Sequence, residues 1–314
     1  MASSDDQLHA RFVRDGYVIV RSLLAPSEVA ALRSEARALV AREEVTGPLR
    51  ANDNQQYGNA DFGTEAAFMR GCTMPEILNS VALQAVFADE RLVTLVVTCL
   101  GEEVGTKEVV LDNAVLMTAK AGDMYRQGYH RDAIGIVDEH SGGIDRMLRP
   151  GHYHNNVQIN LALGETDHGF WAVPGSHSRP YTAEEAQAFG RQALNKEAPL
   201  MNEMPGALNL KLSGGDVILC NNNIIHRGAC MPFETDRFCA HAGYSSSLRP
   251  PTWHIWSGER LSAAAQSAET MAALDARFAE LVRRRQDVVT RFPSLRDSCF
   301  TADHRPVSQT TTAR

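Results

Sequence analysis

What most limits the fold of this chain is a change in the spacing of its apolar residues near residue 105. From there to about residue 250 the apolar runs are short: "EVVLDNAVLMTA", "VQINLALG", "FWAVPGS", "GALNLKL", "GDVILCNNNIIH" and "RFCAHAGYSS", each bounded by Gly, Pro, Asn or Asp. Runs of this length between turn formers build strands, and so many strands must close into a barrel or stack as a sandwich. On either side the period lengthens. "APSEVAALRSEARALVARE" places Val29, Leu32, Ala36, Leu39 and Val40 at helical spacing, with Ser27 after Pro26 as the expected N-cap. "MPEILNSVALQAVFADERLVTLVVTCLG" predicts two helices that stop near Gly101. Met271, Leu274, Phe278 and Leu281 form a stripe on one C-terminal helix, and "RRR" at 283–285 predicts a solvated face near the negative end of its dipole. The expected architecture is mainly β with flanking helices, in a single domain. Its helical N-terminal part covers about 1–100, its β core about 105–250 and its C-terminal helix about 258–290.

The chain has 314 residues, enough for a sizeable core, with 44% hydrophobic and 22% charged residues, as in ordinary globular proteins. A net charge of -7 argues against a general nucleic-acid binder. The longest apolar run, "LVTLVVTCL", is too short to span a membrane, and the polar start "MASSDDQLHARF" is not a secretory signal. The six cysteines, at 72, 99, 220, 230, 239 and 299, include no CxxC pair and read as reduced thiols of a cytoplasmic protein.

Chemistry concentrates in "GYHRDAIG", residues 128–135. Residues two apart in a strand share a face, so His130 and Asp132 project together while Arg131 takes the other side. An imidazole and a carboxylate side by side offer two metal positions, and a facial site of two histidines and one carboxylate needs a third ligand from elsewhere. His226 is the candidate, at the end of a β-like run that begins at Asp216. Within that run, Asn221, Asn222 and Asn223 point to a wet or ligand-lined interior, because buried amides are costly without partners. Arg237 lies eleven residues beyond His226, where an antiparallel return would bring the two together. A buried arginine calls for an anion, and a carboxylate fits its fork.

Four stretches in the right order give the chain a resemblance to the phytanoyl-CoA dioxygenase family of iron(II)- and 2-oxoglutarate-dependent oxygenases. They are "FVRDGYVIVRSLLAPSEVAALR", "QGYHRD", "GFWAVPGSHSRP" and "GDVILCNNNIIHRG" with the Arg237 that follows; together they cover roughly residues 10–245. The resemblance implies a double-stranded β-helix, or jelly roll. It implies that His130, Asp132 and His226 hold Fe(II), that 2-oxoglutarate chelates the iron with its far carboxylate on Arg237, and that O2 takes the remaining position. The implied chemistry is oxidative decarboxylation of the keto acid to succinate and CO2, coupled to oxidation of an unactivated C–H, most simply a hydroxylation. It also implies co-substrate contacts from Gln127 and Asn160. Gly228 stands where some members carry a Ser that helps bind the co-substrate.

Other readings of the same residues lead elsewhere. A halogenase needs the carboxylate position empty, and Asp132 fills it. A non-oxygenase, cupin-like metal-binding protein or isomerase has no use for an inward arginine at the position of Arg237. "HYH" at 152–154 is a rival histidine pair, in a loop where it suits substrate or outer contacts better than the metal; His177 in "PGSH" reads as a loop brace, and His140 and His168 as solvated. Trp171, Trp253 and Trp256 suit packing or a substrate pocket. The chain has only four lysines, at 107, 120, 196 and 211, and Arg50, Arg146 and Arg149 do not cluster in sequence. A phosphate-rich CoA thioester is therefore disfavoured against a free, polar small molecule such as a natural-product intermediate.

Overall fold

In the computed structural model, residues 4–46, 75–101, 103–122, 129–131, 156–194, 204–228, 232–248 and 259–291 are described. The strands are β1 (Tyr17–Val20), β2 (Val109–Ala119), β3 (Val157–Ala162), β4 (Thr166–Asp167), β5 (Phe170–Ala172), β6 (Leu208–Asn209), β7 (Leu212–Ser213), β8 (Val217–Cys220), β9 (His226–Gly228) and β10 (Arg237–Ser246). Five of them form an antiparallel sheet in the order β1-β8-β3-β10-β2. Facing it are a three-stranded sheet, β6-β5-β9, and the pair β4-β7. With its flanking helices this is the jelly-roll core expected from the spacing of the apolar runs.

The alternation of residues on the large sheet separates two environments. Val157, Ile159, Leu161, Val217, Leu219, Phe238, Ala240, Ala242 and Tyr244 project from one face into the main hydrophobic core. Helices α1 (Ser4–Asp15), α2 (Pro26–Thr46), α3 (Val81–Phe87) and α4 (Glu90–Leu100) supply the other side of that core, with Phe12, Leu39, Phe87, Leu92 and Val96. Each such side chain contributes roughly 1.5–3 kcal/mol when fully buried, so this layer fixes the register of every central strand. The opposite face turns towards the small sheet. There Ala162, Ile218 and Cys220 meet Phe170, Ala172, Leu210, Leu212 and Ile224. Gln158, Asn160, Arg237 and His241 lie on the same face beside Val115 and Met117 of β2, and together they are the inner wall of the barrel.

Several local expectations change in the structure. Pro26 opens α2, and Glu28 reaches back to accept from the Ala25 N–H at 2.7 Å, so Ser27 lies inside the first turn. Pro has no N–H to satisfy there and its φ is already helical. The pair α3 and α4 is capped by Ser80 and Asp89 and stops at Gly101, whose φ is 103°. The C-terminal region is three helices rather than one: after α5 (Ala183–Leu194) come α6 (Glu259–Ala265), α7 (Ala268–Ala273) and α8 (Ala276–Arg291). Ser267 accepts from the Thr270 N–H, and Asp275 from the N–H groups of Arg277 and Phe278, so two N-caps interrupt the period. The three arginines also part company. Arg283 and Arg284 pair with Glu280 near the surface, but Arg285 is buried and donates to the Asp112 carbonyl at 3.2 Å.

The run from Asp216 to His226 is not one strand. It is β8, a turn and β9. The asparagines make the turn: Asn221 Oδ1 accepts from the Asn223 N–H at 2.9 Å, and Asn223 Nδ2 donates to the His177 carbonyl at 2.7 Å. Asn221 Oδ1 and Asn223 Nδ2 are thus satisfied, the first by the kind of backbone mimicry that asparagine's short amide allows, while Asn222 Nδ2 and Asn223 Oδ1 have no partner among the described residues. His177 braces the same corner, with Nε2 3.1 Å from the Val13 carbonyl. Among the described residues, no helix is long and apolar enough to cross a membrane. Cys99, Cys220 and Cys239 are buried thiols that form no disulfide among the described residues; Cys72, Cys230 and Cys299 lie outside the described residues.

Candidate active site

His130 and His226 meet through the backbone. Each N–H donates to the other's carbonyl at 2.9 Å, an isolated antiparallel bridge. Residues that exchange both bonds sit directly opposite each other and send their side chains to the same side. The two imidazoles follow, with ring centroids 4.4 Å apart. His226 Nδ1 lies 2.9 Å from the Ile224 carbonyl. A ring nitrogen facing a carbonyl carries the proton, so the lone pair is at Nε2, the tautomer a metal requires. Asp132 and Gln127 lie outside the described residues, as do Arg50, His140, Arg146, Arg149, His152, His154, Trp253 and Trp256.

Arg131 takes the opposite side from His130, as alternation demands. It is buried and donates to the carbonyls of Ser176 (2.7 Å), Asn223 (3.1 Å) and Arg179 (3.0 Å), with its guanidinium over the Tyr181 ring. Burial pulls its pKa down, and the neighbouring Tyr181 and Glu185 oppose that shift. One side chain therefore fastens the His130 segment to the loop after β5 and to the turn before β9. Arg227, next to His226, is held similarly, its guanidinium between the rings of Tyr129 and Trp171 at 4.4 and 5.1 Å.

Arg237 begins β10 on the inner wall, 2% exposed. It is not joined to His226 by a hairpin. β9 pairs with β5, whereas β10 pairs with β2 and β3, so the two residues sit on opposing sheets. The segment from β4 to β5 spans them: Asp167 Oδ2 accepts from Arg237 Nε at 2.8 Å, and the Phe170 ring stacks on His226 at 5.3 Å. Asp167 is held in turn by the Gly169 N–H at 2.6 Å. A Cβ on Gly169 would come within 2.8 Å of Arg237 Nη2, so only glycine fits there. The anion that the buried arginine demanded is partly a protein carboxylate, which the sequence reading missed. A clue lay in "TDHGF", an acid and a glycine just ahead of the buried aromatic.

Asn160 lies on the inner wall beside His241 of β10. Its Oδ1 is 3.1 Å from His241 Nδ1, and its buried Nδ2 has no partner among the described residues. Gln158, two residues earlier on the same face, reaches the other ring nitrogen of His241 at 3.3 Å. His241 also escaped the sequence reading, although it stands four residues after Arg237 and so on the same strand face. His168 is half-buried, its ring 5.1 Å from that of Phe233, rather than solvated.

The donor set suits the groups that the resemblance implies. Two adjacent imidazoles, that of His226 with a defined tautomer, can hold a divalent metal, and an orphaned amide donor with a buried guanidinium suits an anionic chelator.

A family model described as phytanoyl-CoA dioxygenase (PhyH) matches residues 12–230. No curated protein matches the chain. Among solved structures, the epimerase SnoN in complex with Fe3+, α-ketoglutarate and nogalamycin RO is 20% identical, over 82% of this chain and 90% of that one, with a TM-score of 0.55. HygX from Streptomyces hygroscopicus with nickel, 2-oxoglutarate and hygromycin B bound is 18% identical, over 76% and 86%, with a TM-score of 0.50. EctD from S. alaskensis with bound Fe is 21% identical, over 79% and 78%, also with a TM-score of 0.50. At such identities these likenesses speak for the fold. The family match spans more than half of the sequence, and the chain belongs to the phytanoyl-CoA dioxygenase (PhyH) family.

Proposed function

We propose that this protein is an Fe(II)- and 2-oxoglutarate-dependent oxygenase that oxidises an unactivated C–H, by hydroxylation, in a small polar molecule such as a natural-product intermediate. The observation that carries this reading is the reciprocal bridge that sets His130 and His226 side by side. His130, Asp132 and His226 are the proposed metal ligands; Arg237, Asn160 and Gln127 are the proposed co-substrate contacts. When bound, the iron and keto acid supply oxidative decarboxylation with O2, giving succinate and CO2 as the substrate is oxidised.

The chain's own residues orient and enclose. The Ile224 carbonyl holds His226 in the tautomer that presents Nε2. Asp167 holds Arg237 by its Nε edge, which directs the rest of the fork along the wall. The apolar cluster around Phe170, Ile218 and Ile224 excludes water from the floor of the barrel and strengthens each polar contact there. A free substrate is supported by the scarcity of lysine and by the small molecules named in the SnoN and HygX structures.

The test is metal content and turnover together. His226→Ala and His130→Ala are each expected to lose iron and substrate-dependent succinate release, since a three-point site loses both affinity and geometry with one ligand. Near-normal iron content and activity in His226→Ala would remove the assignment.

A further inference from the structure

The inner wall carries a chain of hydrogen bonds that runs in one direction and ends on an open donor. Cys220 Sγ is 3.7 Å from Gln158 Oε1. Gln158 Nε2 is 3.3 Å from His241 Nε2, and His241 Nδ1 is 3.1 Å from Asn160 Oδ1. Cys239 Sγ approaches that same oxygen at 3.6 Å. A neutral thiol is a donor first and a poor acceptor, so each thiol marks the amide atom facing it as oxygen. Gln158 then donates through Nε2 to an unprotonated His241 Nε2, and the ring's proton lies on Nδ1, facing Asn160. Asn160 Oδ1 takes both the imidazole N–H and the thiol. Its Nδ2 is left as a buried donor without a partner among the described residues, on a residue only 5% exposed. A buried orphan donor of this kind calls for an acceptor that is not part of the protein.

We propose that His241, as the Nδ1–H tautomer, is a positioning residue: it fixes the Asn160 amide so that Nδ2 faces the barrel and donates to a carboxylate oxygen of 2-oxoglutarate. This rests on the co-substrate reading given above. It adds the control of the amide's direction. Without the imidazole donor only the Cys239 thiol, which also lies 3.8 Å from the Ala240 carbonyl, faces the amide oxygen; an amide that then turns over presents its oxygen to the carboxylate and repels it.

The experiment separates the two nitrogens of the ring. Asparagine at this position places an N–H where Nδ1 was; glutamine places its amide where Nε2 was. Binding of 2-oxoglutarate to nickel-loaded protein is followed by calorimetry for His241→Asn, His241→Gln, His241→Leu, Asn160→Ala and Arg237→Lys, with nickel affinity measured alongside. His241→Gln, His241→Leu and Asn160→Ala are expected to weaken 2-oxoglutarate about ten- to hundred-fold, the range of a lost bond to a charged group, with nickel affinity unchanged. His241→Asn is expected to stay within about threefold of the parent, because it restores the donor. If His241→Asn binds as poorly as His241→Gln, or His241→Leu binds as the parent does, while Asn160→Ala is weakened, the positioning role is wrong and the co-substrate reading stands. If neither Asn160→Ala nor Arg237→Lys alters binding, the co-substrate reading itself falls. Nitrogen-15 NMR of the metal-free parent gives a readout that needs no variant to fold. An Nδ1–H tautomer at His241 is expected, and an Nε2–H tautomer overturns the proposal.

Discussion

Asp112 is the extra residue where the register of β2 against β10 shifts, between Asn113 opposite Gly243 and Leu111 opposite Tyr244. The bulge turns its carboxyl inward, where Ser245 Oγ and Asn156 Nδ2 donate to it at 2.8 and 3.1 Å. Burial pushes its pKa from 3.8 to about 7, and the two hydrogen bonds and Arg285 only partly offset this. Between those values the unfolded chain is ionised while the folded one keeps its proton. The folded state then binds more protons, so the contribution of Asp112 to stability is full below pH 3.8 and is lost as pH rises through about 7. Asp112→Asn is expected to flatten this decline and to stabilise the protein at pH 8; urea unfolding at a series of pH values checks it. Asn156 can accommodate the change by turning its amide, because its Oδ1 has no partner among the described residues. At Arg237 the expected loss is twofold. Arg237→Ala leaves Asp167 buried and uncompensated, at a cost of about 3–5 kcal/mol in stability. Adding Asp167→Asn is expected to restore much of that stability without restoring 2-oxoglutarate binding. Thermal melts and calorimetry on the single and double variants separate the two effects.

At the scale of elements, the junction between α1 and β1 shows how the helical layer is fastened to the barrel. Gly16 closes α1 by donating to the Phe12 carbonyl and accepts from the Asn221 N–H, both at 2.8 Å. Its φ is 78°, and a Cβ there would lie 2.4 Å from His177 Nδ1. Gly16→Ala is expected to cost about 1–3 kcal/mol in unfolding free energy for the backbone alone, with the collision in addition. His177→Ala in the same chain should recover the collision's share and not the backbone's, as denaturant titration of the pair would reveal. The strands, the N-terminal helices and the alternation about His130 were legible in the sequence because each is a local pattern of burial or turn chemistry. The three-way division of the C-terminal helix was not, since the apolar stripe runs on through Ser267 and Asp275, whose capping oxygens stop it. Arg285 escaped for a similar reason: only the packing of α8 against β2 shows that one of three identical residues faces inward. The pairing of His130 with His226 was readable from motif order. Asp167 and His241 were not, because their partners, Arg237 and Asn160, lie 70 and 81 residues away in the chain.

Over the whole molecule, the large sheet divides labour between its faces. The helix-packed face carries most of the apolar weight, and the inner face, beside a smaller apolar cluster, accommodates the polar Gln158, Asn160, Arg237 and His241 that such a core would otherwise reject. The net charge of -7 and four lysines bear on what can enter. Supplied with matched free and CoA-linked candidates, the protein is expected to release succinate with the free forms; efficient turnover of CoA-linked forms alone would reverse the substrate class. The bridge between His130 and His226 has a practical consequence. Two hydrogen bonds of the main chain join the residues that carry those rings. Stripping the protein with a chelator should therefore leave it folded and able to accept a different divalent ion afterwards. An inert surrogate could be installed after purification, so that complexes with oxidisable compounds could be crystallised in air.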